Sequence, residues 1–422
     1  MRVRGMRDVL PGEARRWRQI ETAIVDVLDR FAYQEVQLPM LEAVELFSRG
    51  VGEATDIVEK EMYCLTDRDG EVIALRPEGT AGCARALDEN GLLYNQTQRV
   101  FYRGPMFRYE RPQKGRYRQF YQVGVEAFGL SGPDIDAELI QLGCELWRTL
   151  GIDGEVRLEL NSIGSSGARA AFREALVGWL EPRKESLDED SRRRLTTNPL
   201  RILDSKSEET RRALDNGPAF EDYLDEASAE HYAGLKAMLD ELGLDYVENP
   251  RLVRGLDYYT RSVFEWTTER LGAQGAICAG GRYDGLVELL GGKATPAAGF
   301  AIGVERVLLL HEVVHGASPE VPADVYCCVL QPGLHGAALA AVQRLRCMAP
   351  ELRVRVHAGG GKLKNQLKRA DRSGARWALL FGEAEVEEGL VALKDLRGDA
   401  GQEQLHLEDV AARLNGWRTA KE

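Results

Sequence analysis

Between Val100 and Gly129 the chain reads VFYRGPMFRYERPQKGRYRQFYQVGVEAFG, interleaving arginines with aromatics around a polar turn and ending near a glutamate flanked by apolar residues. From Arg99 to Arg118 there are seven cationic side chains and one acid, in a chain whose formal net charge is -12. Guanidinium forks match phosphate oxygens in bidentate geometry and stay charged at any working pH, so a local cationic site in an acidic protein reads as a phosphate pocket. The alternation Gln122, Gly124, Glu126 places these three on one face of a strand, with the glycine leaving space for a ligand beside a carboxylate that burial would make costly unless paired. Further along, Arg254 precedes GLDYY, Arg282 sits in the glycine-dense AGGRYDGL, and Arg306 ends GFAIGVER.

The elements that must position these groups follow from periodicity. Trp17, Ile20, Ile24, Val27, Leu28 and Phe31 recur at helical spacing after Pro11, predicting a helix to about residue 31. Strands are predicted at 33–38, 71–75, 100–107 and 119–128, the last two forming a hairpin with its tip at Arg111–Gly115. A helix at 134–150 and a strand at 155–160 follow. Residues 166–244 change to charge-dense helical sequence and read as an inserted subdomain. Strands are expected at 258–266 and 274–279, and a strongly apolar helix from Gly299 to Leu310. ASPEVPAD, residues 317–324, looks like a linker, and beyond it strands at 325–330, 352–357 and 377–381 alternate with helices at 333–346 and 362–373 as an α/β unit. The expected division is residues 1–320 and 321–422.

Composition narrows the class of function. Seven cysteines, an odd count without CxxC spacing, argue against a disulfide framework or a structural zinc site and for a reduced, cytoplasmic setting. No apolar run reaches membrane-spanning length, and the charged N-terminus has no following apolar stretch. Net acidity disfavours indiscriminate nucleic-acid binding and leaves room for one basic face that takes a particular RNA.

Taken in order, YQEVQLP (33–39), LRPEGTA (75–81), FRYERPQKGRYRQF (107–120), RGLDYYTRSVFEW (254–266), AGGRYDGL (279–286) and GFAIGVER (299–306) resemble the motifs of class II aminoacyl-tRNA synthetases, and specifically of the bacterial-type histidyl-tRNA synthetase family, across essentially the whole chain. The resemblance implies an α+β fold: an antiparallel class II sheet flanked by helices, a helical insertion and a C-terminal α/β anticodon-binding domain. It implies ATP as substrate, magnesium accompanying it, L-histidine and tRNA(His) as partners, no protein-held metal, and a homodimer through the first motif, whose apolar helix would be buried there. By the same resemblance Arg108 and Arg254 lie at the α-phosphate, Arg254 doing work done by a metal ion in related enzymes. Arg306, Arg116 and Glu110 hold the rest of the ATP. Glu78, Gly79 and Thr80 take the α-amino group, Glu126 and Tyr259 the imidazole, and Gln122 and Tyr258 line that pocket. Arg108 and Arg254 also contact the histidine. Arg111, Gln113 and Lys114 are candidates for the acceptor end of the RNA, and Lys362, Lys364, Lys368, Arg369 and Arg372 for the anticodon loop. The insertion reads as an acceptor-stem clamp, because a polar histidine site rejects apolar analogues without editing.

Tyr109 and Tyr121 stand where bacterial members usually carry histidine; an aromatic face with a polar tip should preserve adenine packing there. Two other readings come from the residues. His311-Glu312-Val313-Val314-His315 matches the HExxH spacing of zinc proteases, without the downstream glycine and histidine of the extended form. A non-catalytic histidine-binding regulatory subunit of ATP phosphoribosyltransferase typically lacks the C-terminal RNA-binding domain and has a degraded RGLDYY segment, whereas here the C-terminal domain and Arg254 of an intact RGLDYY are both present.

Overall fold

The computed structural model describes residues 1–52, 55–316, 323–398 and 401–419. The chain divides into two compact units, Met1–Ser318 and Pro319–Glu422. Most of the expected linker, residues 317–322, lies outside the described residues.

The first unit is built on an eight-stranded sheet in the order 34–35, 98–107, 119–128, 297–303, 276–282, 260–267, 157–162, 247–248. Its six inner strands are antiparallel, and a parallel two-residue strand closes each edge, so the sheet is mixed rather than purely antiparallel. The long hairpin pairs Gln98 with Phe128 through to Phe107 with Gln119 without a register shift. Because side chains alternate along a strand, Val123, Val125 and Ala127 point to one face and Gln122 and Glu126 to the other. The first face is covered by helices Pro11–Arg30 and Pro133–Thr149, in one core with Phe264, Trp266 and Phe300. The opposite face carries a second core that includes Tyr102, Tyr258, Tyr259 and Tyr283 and runs into the insertion.

The N-terminal helix spends its apolar stripe inside this chain: Trp17, Ile20, Ile24, Val27 and Leu28 are buried in the first core. A subunit interface is therefore not needed to explain that stripe. Exposed apolar side chains occur instead at Met40, Leu41, Leu65 and Val72, on or beside a small sheet of strands 41–43, 72–75 and 63–66.

The insertion folds as four helices, Ser166–Leu180, Glu189–Thr197, Glu208–Leu214 and Glu226–Glu241, joined by short 3₁₀ turns. Ser165, Asp188, Ser207 and Asp225 each cap a helix by accepting from the backbone N–H three residues on. A Phe172–Phe220 stack at 3.8 Å sits in its interior.

One expected element is replaced. Residues 297–303 form a strand, and the helix begins only at Val304 and runs to His315. AAGFAIG pairs on both sides, with 119–128 and 276–282, and Gly299 sits opposite Glu126, where any Cβ would collide with the carboxylate. Ladder pairing on both edges outweighs the helical look of a short apolar run.

The second unit is a five-stranded sheet ordered 354–356, 325–329, 377–381, 390–395, 402–406. Its first three strands are parallel and the last two antiparallel. Helices His335–Met348, Leu363–Arg372 and Leu407–Thr419 accompany it.

Candidate active site

A cleft of ≈ 420 Å³ opens on the sheet face away from the covering helices. At one end sits Glu126, 1% exposed. Its Oε1 accepts from Thr80 Oγ1 at 2.7 Å and from the Tyr102 hydroxyl at 3.2 Å, while Oε2 accepts from the Tyr283 hydroxyl. Burial pushes this carboxyl up to about 8, with the three hydroxyl donors partly opposing it and Glu78 adding to it. Glu78 is also buried and also raised by burial, offset by the backbone N–H groups of Ala81 (3.0 Å) and Thr80 (2.7 Å). Glu78 thus holds the start of helix Thr80–Glu89 while facing the cleft. Tyr258 and Tyr259 lie 4.7 Å apart, and Tyr283 is 5.4 Å from the Tyr258 ring. Together these groups make a small, dry pocket with carboxylate acceptors and hydroxyl donors, suited to a compact cation bearing ring nitrogens.

Gly124 does not leave ligand space. Tyr102 lies directly across the hairpin from it and fills the position its Cβ would take, and the same ring closes over Gly79. Two glycines therefore seat a tyrosine, which in turn holds Glu126.

The rest of the cleft is cationic. Arg108 donates Nε to the Pro77 carbonyl at 2.8 Å and lies over the Phe120 ring at 5.2 Å. Arg116 is ion-paired with Glu110. Arg306 donates to the carbonyls of Ala276 at 2.6 Å and Gly115 at 3.4 Å, so one strand end and the hairpin turn both aim it. Burial lowers all three arginines; mutual repulsion lowers Arg306 and Arg116 further. Guanidiniums held this close in a partly desolvated cleft favour a polyanion between them. Arg254, opposite, pairs with Glu265 at 2.9 Å; burial works against its charge, but Glu265 outweighs it and raises the group above the ordinary arginine value. Its Nε is buried with no hydrogen-bond partner.

Of the residues singled out from sequence, Glu78, Thr80, Arg108, Glu110, Arg116, Gln122, Glu126, Arg254, Tyr258, Tyr259 and Arg306 all line this cleft. Gly79 lies behind them under Tyr102. Arg111, Gln113 and Lys114 are exposed at the hairpin tip outside the cleft, and Lys362, Lys364, Lys368 and Arg369 are exposed in the second unit at or on helix Leu363–Arg372. Tyr109 and Tyr121 do not line the cleft. Tyr121 faces the helix-covered side, edge-on to Trp17 at 4.9 Å, and Tyr109 stacks under Arg118 at 3.6 Å. Phe120, one residue from Tyr121, faces the cleft instead, because side chains alternate along the strand.

Sequence reasoning missed Tyr102, Glu265 and the insertion residues Arg193, Arg194 and Arg201, which also line the cleft, and Tyr283, which holds Glu126 from behind it. Tyr283 had a signal, its place in AGGRYDGL; Tyr102 had none beyond lying opposite Gly124. The HExxH segment is otherwise engaged: Glu312 pairs with Arg16 at 3.4 Å and His315 Nε2 meets the Leu150 carbonyl at 3.1 Å. Among the described residues no group of three His, Cys, Asp or Glu side chains is gathered to hold a metal ion.

This sheet, with its hairpin, arginine-lined cleft and appended α/β unit, has the architecture of a class II aminoacyl-tRNA synthetase. The sequence matches the family model for histidyl-tRNA synthetase over residues 5–307 and that for an anticodon binding domain over 324–417. It is 33% identical to apo histidyl-tRNA synthetase of S. aureus, covering 98% of this chain and 99% of that one, with a TM-score of 0.79. The chain belongs to the histidyl-tRNA synthetase family. A histidyl-tRNA synthetase from Nostoc sp. shares the fold at 21% identity, 99% coverage of both chains and a TM-score of 0.71. An ATP phosphoribosyltransferase regulatory subunit/histidyl-tRNA synthetase from Bacillus halodurans C shares it at 22% identity, over 87% of this chain and 96% of that one, with a TM-score of 0.64. ATP and a divalent metal ion are general requirements of the class II synthetases. Among the described residues no helix is long and apolar enough to cross a membrane.

Proposed function

We propose that the protein joins L-histidine to tRNA(His) at the expense of ATP, through a histidyl-adenylate, releasing pyrophosphate and then AMP. One observation carries this reading: an acidic, hydroxyl-lined pocket and a set of four guanidiniums open into the same cleft. In it, Glu78 and Thr80, at the turn that Gly79 permits, take the α-ammonium. Glu126 and Tyr259 take the imidazole, with Gln122 and Tyr258 as walls. The substrate carboxylate is already ionised and needs no base to attack. The obstacle is its approach to an anionic α-phosphate, and Arg108 and Arg254 offset that repulsion with preset charge. Arg306 and the Arg116–Glu110 pair hold the outer phosphates.

Magnesium fits this site as a companion of ATP: it binds largely through substrate phosphates and one or two carboxylates, and Glu61 and Glu265 line the cleft. When bound it supplies neutralising charge to the phosphates. In the transfer step a phosphate oxygen of the adenylate accepts the proton of the attacking ribose hydroxyl, and no side chain is assigned that role. Exposed Arg111, Gln113 and Lys114 suit the RNA acceptor end, and Lys362, Lys364, Lys368 and Arg369 suit anticodon-loop phosphates. The exposed apolar group at Met40, Leu41, Leu65 and Val72 supports a homodimer, and seven free cysteines support a reducing, cytoplasmic setting.

The likeness to the Bacillus halodurans chain favours a second reading, a histidine-binding regulatory subunit without catalysis. Transfer of labelled histidine to acid-precipitable tRNA separates the two. The synthetase reading expects ATP-dependent charging of tRNA(His); histidine binding with no charging would establish the regulatory one.

A further inference from the structure

We propose that the N-terminal segment, through Gly5 and Arg7, is a positioning strap for the turn that carries Arg116, and so sets the affinity of the cleft for the nucleotide triphosphate. This rests on the assignment of Arg116 and Arg306 to ATP made above.

The turn is fixed from two sides. On the inner side Arg306 Nε donates to the Gly115 carbonyl at 3.4 Å, and Gln113 and Arg116 close the tip by exchanging backbone hydrogen bonds at 3.0 and 2.9 Å. On the outer side the support comes from a segment far away in sequence: Arg118 N–H donates to the Gly5 carbonyl at 2.8 Å. Gly5 has φ +83, and a Cβ there would come within 2.7 Å of Arg118 Cδ and 2.9 Å of Pro112 Cγ. The segment therefore lies flush against both limbs of the turn only because residue 5 has no side chain. Arg118 is sandwiched: Gly5 touches its stem, its guanidinium lies 3.6 Å from the Tyr109 ring centroid, and its Nε donates to the Glu110 carbonyl at 3.1 Å. Glu110 is the ion-pair partner of Arg116, so the strap reaches the phosphate-binding cation through two intervening residues, Arg118 and Glu110. Arg7 adds a second anchor, 4.9 Å from the Tyr117 ring centroid and ion-paired with Glu13 on the first helix. Neither residue lines the cleft, so their effect on ATP runs through the turn.

The test uses the full-length protein with Gly5→Ala and Arg7→Ala, and Arg2→Ala as a control from the same segment. Two readouts are taken: trypsin cleavage within residues 111–118 of the protein without substrates, and the KM values for ATP and histidine in pyrophosphate exchange. The strap expects faster cleavage of the turn in both variants, KM for ATP raised about tenfold as one preorganising contact is lost, KM for histidine within twofold, and a thermal midpoint unchanged in Arg7→Ala. Arg7→Lys, which keeps the charge and stem, should recover part of the loss. Cleavage rates equal to wild type in both variants overturn the proposal, as does an equal rise in both KM values alongside a lowered midpoint. Should the wild-type protein show no exchange, the ATP assignment fails by itself, and unaltered trypsin cleavage then overturns the strap separately.

Discussion

Tyr283→Phe deletes one oxygen from a fully buried ring and leaves its packing against Phe128 and Tyr258 in place. That oxygen is a donor to Glu126 Oε2. With a bound cationic ligand holding Glu126 ionised, a hydrogen bond to that charge contributes about 1.5–3 kcal/mol, which corresponds to about 10- to 150-fold in affinity. Glu126 keeps Thr80 and Tyr102 on its other oxygen, so the change weakens one side of the carboxylate. The Tyr283 hydroxyl also restrains the upward push of burial on this group, so its loss moves the carboxyl above about 8 and leaves less of it ionised near neutral pH. Both effects act on the ring-binding carboxylate and neither reaches the arginines. Histidine binding by calorimetry and the two KM values in pyrophosphate exchange measure this directly. We expect weaker histidine binding within the stated range and a KM for ATP within twofold of wild type. Equal histidine affinity in the two proteins would refute the role given to the Glu126–Tyr283 pair.

Other perturbations test separate parts of the account. The Glu126 carboxyl is raised from 4.5 to about 8, so the folded protein holds more protons than the unfolded chain between those values; stability is fully present below 4.5 and is lost as pH rises through about 8. Glu305, raised to about 7, acts with the same sign, so denaturant midpoints across pH 4.5–9 should fall less steeply in Glu126→Gln than in wild type, and parallel curves would contradict the assignment. Gly124→Ala forces a methyl into the Tyr102 ring, and overpacking of this kind costs about 1–3 kcal/mol; a denaturation midpoint equal to wild type would mean Tyr102 can move aside. Lys364→Glu with Lys368→Glu, on an exposed helix face of the second unit, should weaken tRNA binding and flatten its salt dependence while leaving pyrophosphate exchange untouched. Loss of exchange in that variant would count against a purely RNA-facing role.

The fold was most legible where local signals agreed with tertiary demands. Strands 119–128 and 377–381 match their sequence reading residue for residue, because alternation or an unbroken apolar run coincides with full pairing. The expected strand at 33–38 shrinks to Gln34–Glu35, since Leu38 and Pro39 give their carbonyls to the Arg76 guanidinium instead of a neighbouring strand. The stretch from Gly299 to Gly303 reads as helix in sequence because the two glycines and three alanines of 297–303 carry no clear period, and the strands that pair with it directly, 276–282 and 119–128, lie well over a dozen residues away. Strands 390–395 and 402–406 and helix 407–419 are not legible in the same way; Gln402–His406 is polar and exposed along nearly its whole length, so it shows no alternation. At the site, the charged residues were found because charge against a -12 background is visible in one dimension. The tyrosines that organise Glu126 were not, since Tyr102 becomes a site residue only when the hairpin sets it over Gly124.

Adenylate formation is the central step of the proposed reaction. Amino-acid-dependent exchange of labelled pyrophosphate into ATP, with magnesium, should be measured for all twenty amino acids in the wild type and in Arg254→Ala. The account predicts exchange with histidine alone and its loss in the variant. Histidine binding without exchange, or exchange that survives removal of Arg254, would contradict it.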